Sequence, residues 1–285
     1  MSESASAKGT RPARASSAPA PADAAGANPH GADSERLGAR AFLRGVGLVA
    51  GRELGAAFDS GIATVATVAL TLLANSIFMN EFFLTGTLDM TGFFDLLPLL
   101  LAFFLPALSM RLWAEEKKSR TIELLFTLPI RPLQAVLGKY LAALALFGLF
   151  LACTLPIPLM LELLGTPDRG AILAGYLGLV AFGALFLAIG GFLSALARDQ
   201  ITAFVVSTLA GFALVLSGEE RVASVLDGLF PALALGSFLR ENVSALPPFG
   251  EFVRGVVRLS AVSYFALLSA LFLWATSLVL ERNRS

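Results

Sequence analysis

Cysteine and histidine are nearly absent from this sequence of 285 residues, which holds one of each, Cys153 and His30. A single cysteine closes no intrachain disulfide, and one residue of each type cannot build a Cys/His metal centre. Charged residues are scarce as well, at 15%, against about 25% in an ordinary soluble domain. The phosphate-cradling pattern Gly-x-x-x-x-Gly-Lys-Ser/Thr is missing. Gly138-Lys139 is followed by Tyr140, and Leu133 stands where the first glycine belongs. No Gly-x-Ser-x-Gly elbow and no His-Glu-x-x-His occurs. No catalytic residue, metal or cofactor is therefore expected in this chain. A formal net charge of zero gives no ground for a nucleic-acid partner.

What the sequence has is apolar length. Hydrophobic residues make up 56%, and the mean hydropathy is +0.76. Six runs carry no charge: 60–80, 96–110, 140–161, 170–197, 200–218 and 259–280. About 20 apolar residues in a helix cross the hydrocarbon core. The runs are apolar on both parities, as in Leu144-Ala145-Leu146-Phe147, so they are not barrel strands. Helices satisfy their own backbone in lipid, and the expected fold is an all-α membrane protein with six transmembrane helices. Proton- or sodium-coupled carriers keep ionisable groups inside their spans. None of these runs has one, so the energy for any transport must come from elsewhere. Pro98, Pro106, Pro156 and Pro158 mark places where spans can kink.

Residues 1–35, rich in Ala, Ser and Pro, read as a disordered tail. Residues 36–58 read as an interfacial amphipathic helix, with Arg36, Arg40 and Arg44 on one face toward anionic membrane lipid. Gly47, Gly51 and Gly55 form a small-residue row. It either admits another helix or only reflects the abundance of glycine. Residues 59–285 form the six-span domain. Basic residues crowd the tail, the second-to-third connection and the C-terminus, leaving Arg169, Arg221, Arg240, Arg254 and Arg258 on the other side. Both termini are thus expected in the cytoplasm. Lys139 reads as a snorkelling anchor at the inner face. Segment 219–258 is too polar to span and too apolar for a free loop, so short helices in the outer leaflet are expected there.

The second-to-third connection, about residues 114–130, is charged at Glu115, Glu116, Lys117 and Lys118 and then apolar at Leu124, Leu125 and Phe126. A short helix from Thr121 to about Pro129, with an apolar face and a charged base, suits docking of a soluble partner.

These residues resemble the signature of ABC-2-type permeases, and in particular the gliding-motility (GldF-like) ABC permease subunits. The pattern comprises Pro106-Ala107-Leu108, Met110-Arg111, Glu115-Glu116-Lys117, Thr121, Glu123-Leu124-Leu125, Pro129 and Gly138-Lys139. Weaker matches are Glu53-Leu54, Phe58 and Ser60 before the first span, Ser194, Gln200, Ala203 and Phe204, and Arg254-Gly255 with Tyr264-Phe265. Arg120 replaces the usual glycine, Gly61 a usual proline, and Ser260 a usual acidic residue.

The resemblance implies an exporter-like permease of six spans behind an interfacial helix. It also implies two permease chains, identical or different, with a separate ABC ATPase under each that binds ATP and Mg. Glu115, Glu116, Lys117, Thr121, Glu123, Leu124, Leu125 and Pro129 would couple to that ATPase. Export across a bacterial inner membrane is the implied function. The alternative is a non-transport complex that acts mechanically on a periplasmic or gliding partner through 219–258.

Overall fold

The structure, a computed structural model, describes residues 29–59, 61–119, 132–229 and 234–282. Side chains are described from Arg40 onward, except at residues 62 and 63. Two compact units divide the chain after Ala39; of the first, only the helical backbone 29–39 is described. Among the described residues there are twelve helices and no strands. These are α1 (Pro29–Asp59), α2 (Gly61–Thr85), α3 (Thr91–Ser109), α4 (Arg111–Lys118), α5 (Pro132–Thr154) and α6 (Pro156–Leu164). Next come α7 (Arg169–Leu196), α8 (Gln200–Leu216), α9 (Glu220–Leu229), α10 (Leu235–Asn242), α11 (Leu246–Val253) and α12 (Leu259–Arg282). Helix α1 begins ahead of the Arg36 start that the sequence pattern gives.

Among the described residues, five helical segments are long and apolar enough to cross a membrane: 64–85, 91–118, 132–164, 169–196 and 259–282. Helix α8 has 17 residues, about 25 Å at 1.5 Å per residue. It makes a sixth span only together with α9, from which it is bent by 88°. Proline has two different outcomes here. Helix α3 runs unbroken through Pro98 and Pro106. The third span breaks at Leu155, immediately before Pro156, where the ring cannot donate to the preceding turn.

Helix α7 is the axis. It touches α3, α4, α5, α8, α11 and α12, and it is the most buried span, while α2 is the least. In lipid, helices associate by close packing and not by hydrophobic drive, so small residues mark the contacts. Added β-carbons at Gly175, Gly183 and Gly190 would overlap Phe94, Phe147 and Ser109 respectively. One at Gly178 would lie 2.6 Å from Cβ of Phe252. On the same helix, Phe182 stacks on Phe186 at 4.2 Å and meets Phe249 of α11 at 5.5 Å. Asp168 and Asp199 cap α7 and α8 through backbone N–H groups. Gly183→Leu is expected to lower stability by about 1–3 kcal/mol, because the Phe147 ring is buried and stacked on Phe150. Gly148→Leu, where a β-carbon meets nothing, is the matched control. Equal thermal midpoints for the two variants in detergent would contradict this packing.

Segment 219–258 forms the three short helices α9, α10 and α11. Asp227 accepts from the backbone N–H groups of Gly236 and Ser237 and from the Ser237 hydroxyl, tying α9 to α10. Ser244 Oγ donates to the Leu214 carbonyl, and the Tyr264 hydroxyl donates to that of Val243. The turn between α10 and α11 is thus fixed to the end of α8 and the start of α12.

Candidate coupling site at the α1–α4–α5 junction

Helix α5 starts at Pro132, so Lys139 sits two turns inside it and not at its edge. Its side chain is 3% exposed. The expected snorkelling anchor is therefore a buried ion, and a buried ammonium demands partners. Glu53 of α1 supplies one at 3.2 Å. Glu116 of α4 supplies the other at 2.9 Å. Arg52 lies 2.8 Å from Glu53 and 3.7 Å from the Glu116 oxygen that Lys139 also contacts. The ammonium also stands 5.2 Å from the centroid of the buried Trp113 ring, a cation–π arrangement. Burial alone would raise the Glu53 pKa. The charge of Lys139 and the hydrogen bond from Arg52 outweigh it, and the carboxyl stays below its ordinary value.

Close approach of α1 to α5 makes this possible. A β-carbon at Gly138 would lie 2.6 Å from Cβ of Val49 and 3.0 Å from the Val46 carbonyl. One turn earlier, Gln134 Nε2 donates to the Phe42 carbonyl at 3.2 Å beside Gly45. Glycines 45 and 138 therefore carry the approach. Gly47, Gly51 and Gly55 face open space within this chain. Arg40 and Arg44 are exposed, as are Leu43 and Leu48. The side chain of Arg36 lies outside the described residues.

Helix α4 is held from its other side by α7. The hydroxyl of Ser194, fully buried, donates to the Met110 carbonyl at 2.8 Å. It accepts from the backbone N–H groups of Trp113 and Ala114 at 3.2 and 3.1 Å. One side chain thus fixes the turn at Met110 that separates α3 from α4. Lys117 reaches past it to donate to the Ala195 carbonyl, in the last turn of α7. Glu115 pairs with Arg111 one turn back, at 2.8 Å. Trp113, Ala135, Val136, Ala195 and Leu280 form a separate small core beneath the site. Of the expected coupling residues, Glu115, Glu116 and Lys117 are placed on α4. Thr121, Glu123, Leu124, Leu125 and Pro129 lie outside the described residues.

Beside the ion cluster is a cavity of about 530 Å3. Glu53, Asp59, Arg111, Glu115, Glu116 and Lys139 line its charged part, and Ala107, Leu108, Ala142, Ala143 and Leu146 its apolar part. A second cleft, of about 800 Å3, is bordered by Asp95, Arg240, Glu251, Arg254 and Tyr264, and its walls include α11 and the start of α12.

The sequence showed these residues as separate positions, Glu53 in a resemblance, Glu116 in a charged docking segment and Lys139 as a snorkelling anchor. What would have joined them is the demand of a lysine two turns inside an apolar helix for carboxylates. That signal is lost when the span is started at Tyr140.

No curated protein matches the chain. Residues 59–280 match the family described as ABC-2 family transporter protein. That match takes in the candidate spans almost entirely, with Glu116 and Lys139 of the ion cluster, and the chain accordingly belongs to the ABC-2 family of transporter proteins.

Proposed function

We propose that this chain couples ATP hydrolysis by a separate ABC ATPase to export across a bacterial inner membrane. Membership of the family makes it a membrane permease of an ABC system that partners an ATPase subunit. The observation that carries the coupling reading is the ion cluster, which ties α1 and α4 to α5 through one buried ammonium. Helix α4 leads directly into the 120–131 connection, taken as the cytoplasmic ATPase contact. A push on that connection moves α4. Through Glu116 and Lys139 it reaches α5 and α1, and through Ser194 it reaches the axial α7. Exposed Arg40 and Arg44 sit where anionic head groups would hold α1 at the interface. Helix α2, with Val65, Val68, Leu72, Phe83 and Leu84 exposed, is the face offered to a second permease chain.

The test is affinity purification of the tagged protein from gently solubilised membranes, in wild type and in a Glu123→Arg, Leu125→Arg variant. An ABC ATPase that is retained by wild type and lost from the variant is expected. A well-folded wild type that retains no ATPase would sink the reading. The cleft at α10–α12 favours a second reading, a mechanical role against a periplasmic or gliding partner. In the same preparations, a periplasmic protein retained at stoichiometric amounts would select it.

A further inference from the structure

Among the described residues, the cavity beside the ion cluster has more carboxylates than cations along its lining. Lys139 and Arg52 answer Glu53 and Glu116, and Arg111 answers Glu115. Asp59 also lines the cavity, is exposed, and makes no ion pair among the described residues. It is the last residue of α1, which has no basic residue in its final turn. A carboxylate at a helix C-terminus adds to the negative pole of the backbone dipole, where a cation is the favoured neighbour. The other end of the same cavity is apolar. Ala142, Ala143 and Leu146 follow Lys139 deeper along α5, and Leu108 faces them from α3. Seven residues of helix, from 139 to 146, add about 10 Å of depth. An unneutralised anionic mouth above an apolar floor, at the level of an interfacial helix, matches an amphiphile with a cationic head. The volume of about 530 Å3 is in the range of small-molecule sites.

From this we infer that the cavity at the α1–α4–α5 junction binds an ammonium-bearing amphiphile, its head at Asp59 and the end of α1 and its chain on Leu108, Ala143 and Leu146. Neither the ATPase partnership nor the direction of transport enters the inference. The head group belongs either to an ethanolamine phospholipid or to a free long-chain amine, which share this chemistry.

The test is saturable binding of radiolabelled dodecylamine to the full-length protein in a neutral maltoside detergent. Asp59→Lys, a change at an exposed position, is expected to weaken binding about tenfold or more, the effect of reversing one partly screened charge contact. Ala57 of α1 also lines the cavity, and Ala57→Phe, which adds bulk there without altering charge, weakens binding as well. Dodecanoate does not compete. Competition by phosphatidylethanolamine, and none by phosphatidylglycerol, assigns the head group to lipid. Competition by single-chain amines alone assigns it to a free amine. Non-saturable binding, binding unchanged in both variants, or equal competition by dodecanoate would overturn the site. The pull-down of the ATPase is read separately, so loss of one result leaves the other standing.

Discussion

Lys139→Met is expected to lower the stability of the protein by about 3–5 kcal/mol, the usual cost of removing one partner from a buried ion group. The variant leaves Glu53 and Glu116 near each other, partly buried, without the buried ammonium that joined them, though Arg52 stays beside both. Thermal unfolding in detergent measures this loss. A second variant separates charge from packing: Lys139→Met combined with Glu53→Gln and Glu116→Gln. Of the cluster, Arg52 alone keeps its charge, on a side chain that is 59% exposed, and buried ion groups replaced whole are often neutral in stability. It should therefore recover most of the loss. An equal loss in the single and triple variants would mean that the ion cluster is not what the lysine supports. The pH dependence has a definite sign. The Glu53 carboxyl is held below its ordinary value of 4.5. Its contribution is complete above that value and disappears as pH falls through the lower, folded value. Wild type should lose stability on acidification below about pH 4.5, and Glu53→Gln should lose less.

Ser194→Ala is the second large effect expected, about 3 kcal/mol, since loss of a buried partner costs about 1–3 kcal/mol per group left unsatisfied. Three backbone groups meet that hydroxyl: the Met110 carbonyl and the N–H groups of Trp113 and Ala114. Trp113 and Ala114 are buried and Met110 partly so at the turn between α3 and α4, and Gly190, one helical turn earlier on α7, is packed against Ser109. Ser194→Thr keeps the hydroxyl and should fall between wild type and alanine. Limited proteolysis within 120–131 adds a local readout. Cleavage should quicken in Ser194→Ala by more than global stability accounts for. A rate that follows stability alone would contradict the role of Ser194 as a clamp on α4.

Much of the fold was legible in the sequence because lipid imposes a simple rule. Runs with no charge on any face have to be helices, and five of the expected spans stand nearly where they were placed. The fifth run gave a helix of 17 residues that turns sharply into α9, because Gly218 and Glu219 close it. The third run began too late. Its charge-free stretch starts at Tyr140, whereas the helix starts at Pro132 and carries Gln134 and Lys139 inward with it. The site was harder to read, because its members are 53, 116 and 139. They meet only because Gly138 lets α1 approach α5 and because Ser194 sets the direction of α4. Neither event has a periodicity, and both depend on which faces of three helices come together. Glu116 illustrates the result. Charge pattern marked it as a contact for a soluble partner, but its carboxylate faces Lys139 inside the chain. The glycine row at 47, 51 and 55 suited close approach by spacing, yet the approach falls at 45 and 138.

The most direct test of the coupling account is ATP turnover by the complex reconstituted in liposomes, with wild type or with the triple variant Lys139→Met, Glu53→Gln, Glu116→Gln. The account predicts that the triple variant folds and still retains the ATPase, while turnover no longer depends on the permease. Turnover in the triple variant that responds to the permease as wild type does would show that the junction of α1, α4 and α5 does not transmit the stroke.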